Sequence, residues 1–229
     1  MPRLLEIRDV WKTYRQGRVE VDALRGVSLQ VGQGEFTVLA GPSGSGKTTL
    51  LNLVGALDTP SRGSIRVGEH ALGSMSASER ARFRKHEIGF VFQAYNLLPV
   101  LSALENAALV LELQGRPQAE CRARAQSMLR AVGLGEMMDR RPAELSGGQQ
   151  QRVAVARAIA ASPQLVLADE PTANLDSKTG EALLDQMLEL NAEHGVTFVF
   201  SSHDPKVIDR ARRVVTLVDG QLHSDRSCS

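Results

Sequence analysis

Apolar residues recur along this chain in two rhythms. Short runs with almost no polar face, at Phe36, Val38 and Leu39, at Ile88–Phe92, at Leu165–Ala168 and at Val196–Phe200, predict strands buried on both sides. Val214 to Val218 predicts one more strand, ending at the Asp219-Gly220 turn. Between the runs, apolar positions return at helical spacing, first at Leu50, Leu51, Leu53, Val54 and Leu57, then over 102–113, 118–132, 147–161 and 177–193. Ser76, three residues ahead of Glu79, marks another helix start, and Arg80, Arg82, Arg84 and Lys85 read as its solvated face. Imperfect alternation in Leu4–Val10 and Val27–Val31 predicts an antiparallel edge sheet, with Ser64–Val67 as a further short strand. No strand pattern interrupts residues 94–161. The reading is one α/β domain over 1–229, with a core of 1–93 and 162–229 and an inserted helical subdomain at 94–161.

Composition narrows the partners. The 27 basic and 26 acidic residues of this 229-residue chain nearly cancel, so no nucleic-acid stripe or polybasic membrane anchor is expected. No apolar run approaches the roughly 18 residues of a membrane span, and Met1-Pro2-Arg3 does not open a secretion signal, so any membrane association is expected through another protein. Cys121 and Cys228 have no metal-ligand spacing and form no disulfide framework, which suits a reducing compartment. Nine residues follow Gly220, and no appended regulatory domain is expected.

The chemistry concentrates where the first buried run meets the first helix. Ala40-Gly41-Pro42-Ser43-Gly44-Ser45-Gly46-Lys47-Thr48-Thr49 matches the full G-x-x-x-x-G-K-[ST] pattern between a strand and a helix. Such a loop turns successive N–H groups around an anion at the positive end of the helix. Lys47 is placed to reach the β- and γ-phosphates of a nucleotide, and Thr48 to ligate the Mg²⁺ bridging them. Gln93 ends one buried strand, and Asp169 and Glu170 end another, where α/β proteins gather ligand contacts. Asp169 suits Mg²⁺ and Glu170 suits the base that deprotonates a water for attack on the γ-phosphorus. Leu145-Ser146-Gly147-Gly148-Gln149 opens a helix and reads either as a second anion site or as simple capping by Ser146. His203 follows a strand and reads as a γ-phosphate contact or a structural residue. Tyr14, in a polar loop, reads as a π-face for adenine or as a half-buried loop aromatic.

Taken in order, the phosphate loop, Gln93, Leu145–Gln149, Asp169-Glu170, Asp176 and His203 resemble the ATP-binding subunit of an ABC transporter over nearly the whole chain, Leu4 to Leu222. The resemblance implies a phosphate-loop NTPase core of the RecA-like kind and ATP hydrolysis with Mg²⁺. It implies that Tyr14 stacks on adenine and that Gln93 links nucleotide to the membrane partner and contributes to the metal site. It further implies that Asp176 lies in a loop reporting across a dimer and that His203 is a switch histidine. Two copies are expected to clasp each ATP between one chain's phosphate loop and the other's Ser146, Gly147, Gly148 and Gln149, on the cytoplasmic face of a membrane that holds a separate permease subunit. Leu57–Pro60, Ile88–Gln93, Asn96–Pro99 and Ala103–Asn106 look like the branch for lipoprotein release, macrolide efflux and cell division. Lipid-linked, amphiphilic or drug cargo is the expectation; the alternative is a mechanical, non-transport role in which the dimer switches a periplasmic enzyme through a transmembrane partner.

Overall fold

A computed structural model of the chain describes residues 2–17 and 19–227. In chain order its elements are β1 (Arg3–Gln16), β2 (Val19–Gly32), β3 (Phe36–Ala40), α1 (Lys47–Val54), β4 (Arg62–Val67), β5 (His70–Ala71), α2 (Ala77–Glu87) and β6 (Ile88–Phe92). Then come α3 (Ala103–Leu113), α4 (Gln118–Ala131), α5 (Gly147–Ala160), β7 (Leu165–Asp169), α6 (Ser177–His194), β8 (Thr197–Ser202), α7 (Pro205–Ile208), β9 (Arg213–Val218) and β10 (Gln221–Ser227). The chain divides into two compact units, Met1–Arg84 with Thr197–Ser229, and Lys85–Val196.

The first unit holds two sheets. One is antiparallel in the order β2-β1-β4-β5. In the other, β3 lies between β8 and β9, parallel to both, and β10 closes back on β9 as an antiparallel edge. All five residues of β3 are buried, which is why its sequence shows no alternation. Phe36 packs its ring against Phe198 and Phe200 of β8 at centroid distances of 5.4 and 4.9 Å. Arg213 fastens the edge: Nη1 donates to Glu35 Oε2 at 2.6 Å, while Nε and Nη2 grip both carboxylate oxygens of Asp225 at 2.9 and 2.7 Å.

The second unit pairs β6 with β7 in parallel and carries α3, α4, α5 and α6. Ten of the fourteen residues of α5 are buried, and α3, α4 and β6 all pack on it. The approach is close at Gly89, where a Cβ would overlap the Ala158 carbonyl. Ser102 caps α3 in a reciprocal box with Glu105, the Ser102 N–H donating to Oε2 at 2.7 Å.

Several expectations need correction. Tyr14 is not in a loop: β1 and β2 run on as a long hairpin, Tyr14 pairing with Val21, because backbone pairing continues where the polar sequence loses its apolar rhythm. Ser76 and Glu79 do form the predicted cap. Beyond it, Arg80, Arg84 and Lys85 are half-buried and donate to the carbonyls of Met75, Ala56 and Leu113; only Arg82 keeps the solvated character expected of all four. β10 has no counterpart among the predicted strands, since the consecutive polar residues Ser224, Asp225 and Arg226, the last two exposed, hide the pattern. Cys121 is a free, buried thiol in α4, and Cys228 lies outside the described residues.

Candidate functional site

In the first unit the chain leaves β3 at Ala40, loops through Gly41–Gly46 and enters α1 at Lys47. Two glycines are required by geometry. Gly41 has φ 144° and a Cβ there would overlap the Leu217 carbonyl; Gly46, the N-cap, has φ 101° and would press a Cβ to 2.6 Å from the Ala23 carbonyl. The loop is braced from below, the Gly220 N–H donating to the Ser45 carbonyl at 3.1 Å and the Ser45 N–H to the Pro42 carbonyl at 3.2 Å.

Helix α1 begins with no side-chain cap and no acidic residue in its first turn. Its first amides therefore keep their positive end available to an anion. Lys47 is buried, and its ammonium folds back to donate to the carbonyls of Gly41 at 2.7 Å and Pro42 at 2.9 Å. Ser45 Oγ is buried with no partner among the described residues. Pro42, Ser43, Gly44 and Thr48 are exposed and Thr49 is half-buried. The cradle is cationic, donor-rich and open, the chemistry a polyphosphate requires.

Tyr14, on β1, donates its hydroxyl to Asp58 Oδ2 at 2.9 Å, with the Lys12 ammonium 4.8 Å from its ring centroid. His203 is exposed just beyond β8, where Ser202 Oγ accepts the Asp204 N–H at 3.1 Å and Asp204 in turn caps α7.

The second unit builds a different end of the chemistry. Gln93 follows β6, its amide NH₂ donating to Asn174 Oδ1 at 3.4 Å while Asn174 Nδ2 donates to the Gln93 carbonyl at 2.9 Å. Past it, Tyr95 and Asn96 both take left-handed backbones, φ 58° and 49°. Arg157 of α5 holds this bend, donating to the carbonyls of Asn96 and Tyr95 at 2.6 and 2.9 Å. Gln151, fully buried on the same helix, donates to the carbonyls of Pro171 at 2.8 Å and Phe92 at 3.4 Å, tying together the segments that leave β7 and β6.

Ser146 does cap α5, in a box where its Oγ accepts the Gln149 N–H at 3.3 Å and its own N–H donates to Gln149 Oε1 at 2.9 Å. The amides of Gly147 and Gly148 stand beside that box at the helix N-terminus. Gly148 has a packing reason as well: a Cβ there would overlap Thr179 Cγ2 on α6. Asp169 is the last residue of β7, and Glu170 follows with φ 47°. Asp176 caps α6 by accepting the Thr179 N–H at 3.0 Å, and the Thr179 hydrogen bonds hold its carboxyl below the usual range.

Sequence reasoning missed Lys12, Asp58, Arg157, Gln151 and Asn174, whose partners are distant in the chain. The sole signal for them is polar character within otherwise apolar or turn segments.

A sequence profile described as ABC transporter matches residues 24–173. The chain belongs to the ABC transporter family. As its ATP-binding subunit, it binds and hydrolyses ATP. It is 47% identical over 222 residues to the lipoprotein-releasing system ATP-binding protein LolD of Anaeromyxobacter dehalogenans, covering 96% of this chain and 93% of that one. It is also 47% identical to the macrolide export ATP-binding/permease protein MacB of Syntrophobacter fumaroxidans, covering 97% of this chain but 31% of that longer protein. Its structure superposes with a TM-score of 0.90, at 40% identity and 98% coverage of both chains, on the ATP-binding cassette MJ0796, solved as a post-hydrolysis dimer bound to ADP and Pi. Among the described residues no helix is long and apolar enough to cross a membrane, and no group of three His, Cys, Asp or Glu side chains could hold a metal by itself.

Proposed function

We propose that this ABC subunit works as a homodimer on the cytoplasmic face of a membrane. There it would power a separate permease that exports or extracts lipoprotein, lipid or another amphiphilic cargo. The uncapped, acid-free start of α1 beneath the Lys47 loop is the observation that carries the reading. The names of LolD and MacB and the dimeric form of MJ0796 support it.

In this reading Gly41–Thr49 wrap the triphosphate, and Lys47 exchanges two carbonyls for the β- and γ-phosphates. Tyr14 offers its ring to adenine. Thr48, Gln93 and Asp169 supply hydroxyl, amide and carboxylate oxygens, the hard donors that suit Mg²⁺, and Gln93 has its NH₂ already committed to Asn174, so Oε1 is the atom it offers. Bound there, the ion would neutralise charge on the phosphate oxygens. Glu170 accepts a proton from the attacking water, and His203 donates a hydrogen bond to the γ-phosphate. Residues 1–93 and 162–229 form the nucleotide-binding core, and 94–161 the helical subdomain that faces the permease. Ser146, Gly147, Gly148 and Gln149 present the N-terminal amides of α5 to the partner copy's nucleotide, and the Asp176 loop reports across that interface. ATP is then part of the interface, and its cleavage removes the contact that closes the dimer.

Mixed dimers test this. A Lys47→Ala chain paired with a Ser146→Arg chain retains one intact composite site, so verified heterodimers should hydrolyse ATP although each parent homodimer does not. No recovered hydrolysis would overturn the shared-site reading. Isolation of the complex from native membranes identifies the permease.

A further inference from the structure

Lys12 is an unusual residue for a strand of the antiparallel sheet: it is 9% exposed, yet its side chain ends in an ammonium group. Its ammonium has three neighbours, Asp58 Oδ1 at 2.7 Å, the Thr59 carbonyl at 2.8 Å and the face of the Tyr14 ring at 4.8 Å from the centroid. Asp58 is equally committed. Its Oδ1 also accepts the Thr59 N–H at 2.7 Å, and its Oδ2 accepts the Tyr14 hydroxyl at 2.9 Å.

Asp58 stands in the turn that follows α1, and that turn is stitched to β1 by the Ser61 N–H on the Trp11 carbonyl at 2.8 Å and the Thr13 N–H on Ser61 Oγ at 3.0 Å. The tyrosine ring is thus tied, through one carboxylate, to the far end of the helix whose first turn holds the phosphate loop.

We propose that Lys12 and Asp58 are positioning residues for base recognition, fixing the Tyr14 ring and occupying one of its faces so that a single face is offered to a nucleobase. The inference rests on the reading of Tyr14 as the adenine platform. A ring anchored by its hydroxyl and backed by a cation has already lost its rotational freedom before a base arrives, so less ordering remains to be done on binding. The cation also makes the two faces inequivalent, since the backed face is taken by a desolvated ammonium. The protonation states agree with this arrangement. Burial and then the Asp58 hydrogen bond push the Tyr14 hydroxyl above its usual value, a bond with Thr49 working the other way. Burial pushes Asp58 upward, but hydrogen bonds from Lys12, Thr59 and Tyr14 outweigh it and hold the carboxyl below its usual value.

The test compares ATP with inorganic tripolyphosphate, which has no base, both with Mg²⁺, by titration calorimetry on the full chain carrying Glu170→Gln to prevent turnover. Lys12→Met should weaken ATP binding about three- to ten-fold, leave tripolyphosphate binding unchanged, and cost nothing further in a Tyr14→Ala background. Lys12→Arg, which keeps a cation over the ring, should restore most of the affinity. Tyr14→Phe removes only the tether to Asp58, on an exposed side chain, and should weaken ATP alone. Full ATP affinity in both Lys12→Met and Tyr14→Phe, with a loss in Tyr14→Ala, would overturn the positioning role and leave the platform standing. An equal loss for tripolyphosphate would overturn it by showing that Lys12 acts through the phosphate helix. Undiminished ATP affinity in Tyr14→Ala would remove the platform itself.

Discussion

Arg157 and Asn96 are joined by a 2.6 Å hydrogen bond from the guanidinium Nη1 to the main-chain carbonyl. The arginine is buried, it donates to the carbonyls of Tyr95 and Asn96 rather than to carboxylates, and burial lowers its affinity for its proton. It serves to hold two consecutive left-handed residues beyond Gln93. Arg157→Met should therefore destabilise the chain by about 1–3 kcal/mol and raise amide exchange around Tyr95 and Asn96, read by urea denaturation and hydrogen exchange. Arg157→Lys, with one donor group in place of a fork, should recover only part of the loss.

Glu170 combines its proposed role as base with a left-handed backbone, φ 47°. Glu170→Gln should end turnover while leaving ATP binding intact and stabilising a nucleotide-dependent dimer, observable by size exclusion. Glu170→Gly should end turnover equally but gain about 1 kcal/mol in stability over Glu170→Ala. Rapid hydrolysis by either variant would remove Glu170 from the reaction.

Lys47→Ala should abolish ATP binding. The thermal stabilisation that ATP confers on the native chain by mass action should vanish in the variant, as a melting series with increasing ATP will record.

Gly148 and Thr179 lie so close that one methyl separates tolerance from strain. Gly148→Ala should cost about 1–3 kcal/mol from overpacking. Adding Thr179→Ser, which removes Cγ2 but keeps the backbone N–H that Asp176 accepts, should return most of it. A double-mutant cycle on urea midpoints measures the coupling.

Acid should loosen the β10 edge. The Arg213 hydrogen bonds, opposed by burial, hold the Asp225 carboxyl below its usual value. A carboxyl lowered in the folded state contributes stability that is present above its unfolded pKa of about 3.9 and is lost as pH falls through the folded value. Asp225→Asn should remove that acid-sensitive component, at most about 1 kcal/mol for so exposed a group, and flatten stability against pH below about pH 4 in denaturant titrations.

What could be read from the amino-acid order alone was whatever depends on neighbours in sequence. The mostly apolar runs of β3, β7 and β8 name buried strands because both faces are covered, β6 follows them although Phe90 and Phe92 are only half-buried, and the boundaries of α3, α4, α5 and α6 fall within a residue or two of their periodic stretches. The phosphate loop and Leu145–Gln149 were legible for the same reason, since a glycine loop and a cap act over a few residues. The length of the β1–β2 hairpin and the existence of β10 were not, because polar strands at an edge owe their form to backbone pairing rather than to apolar rhythm. Lys12 with Asp58, Arg157 with Asn96, and Gly148 with Thr179 were decided by tertiary structure alone. Each joins positions separated by more than thirty residues, and a side chain's partner at that distance is chosen by where folding brings the backbones together.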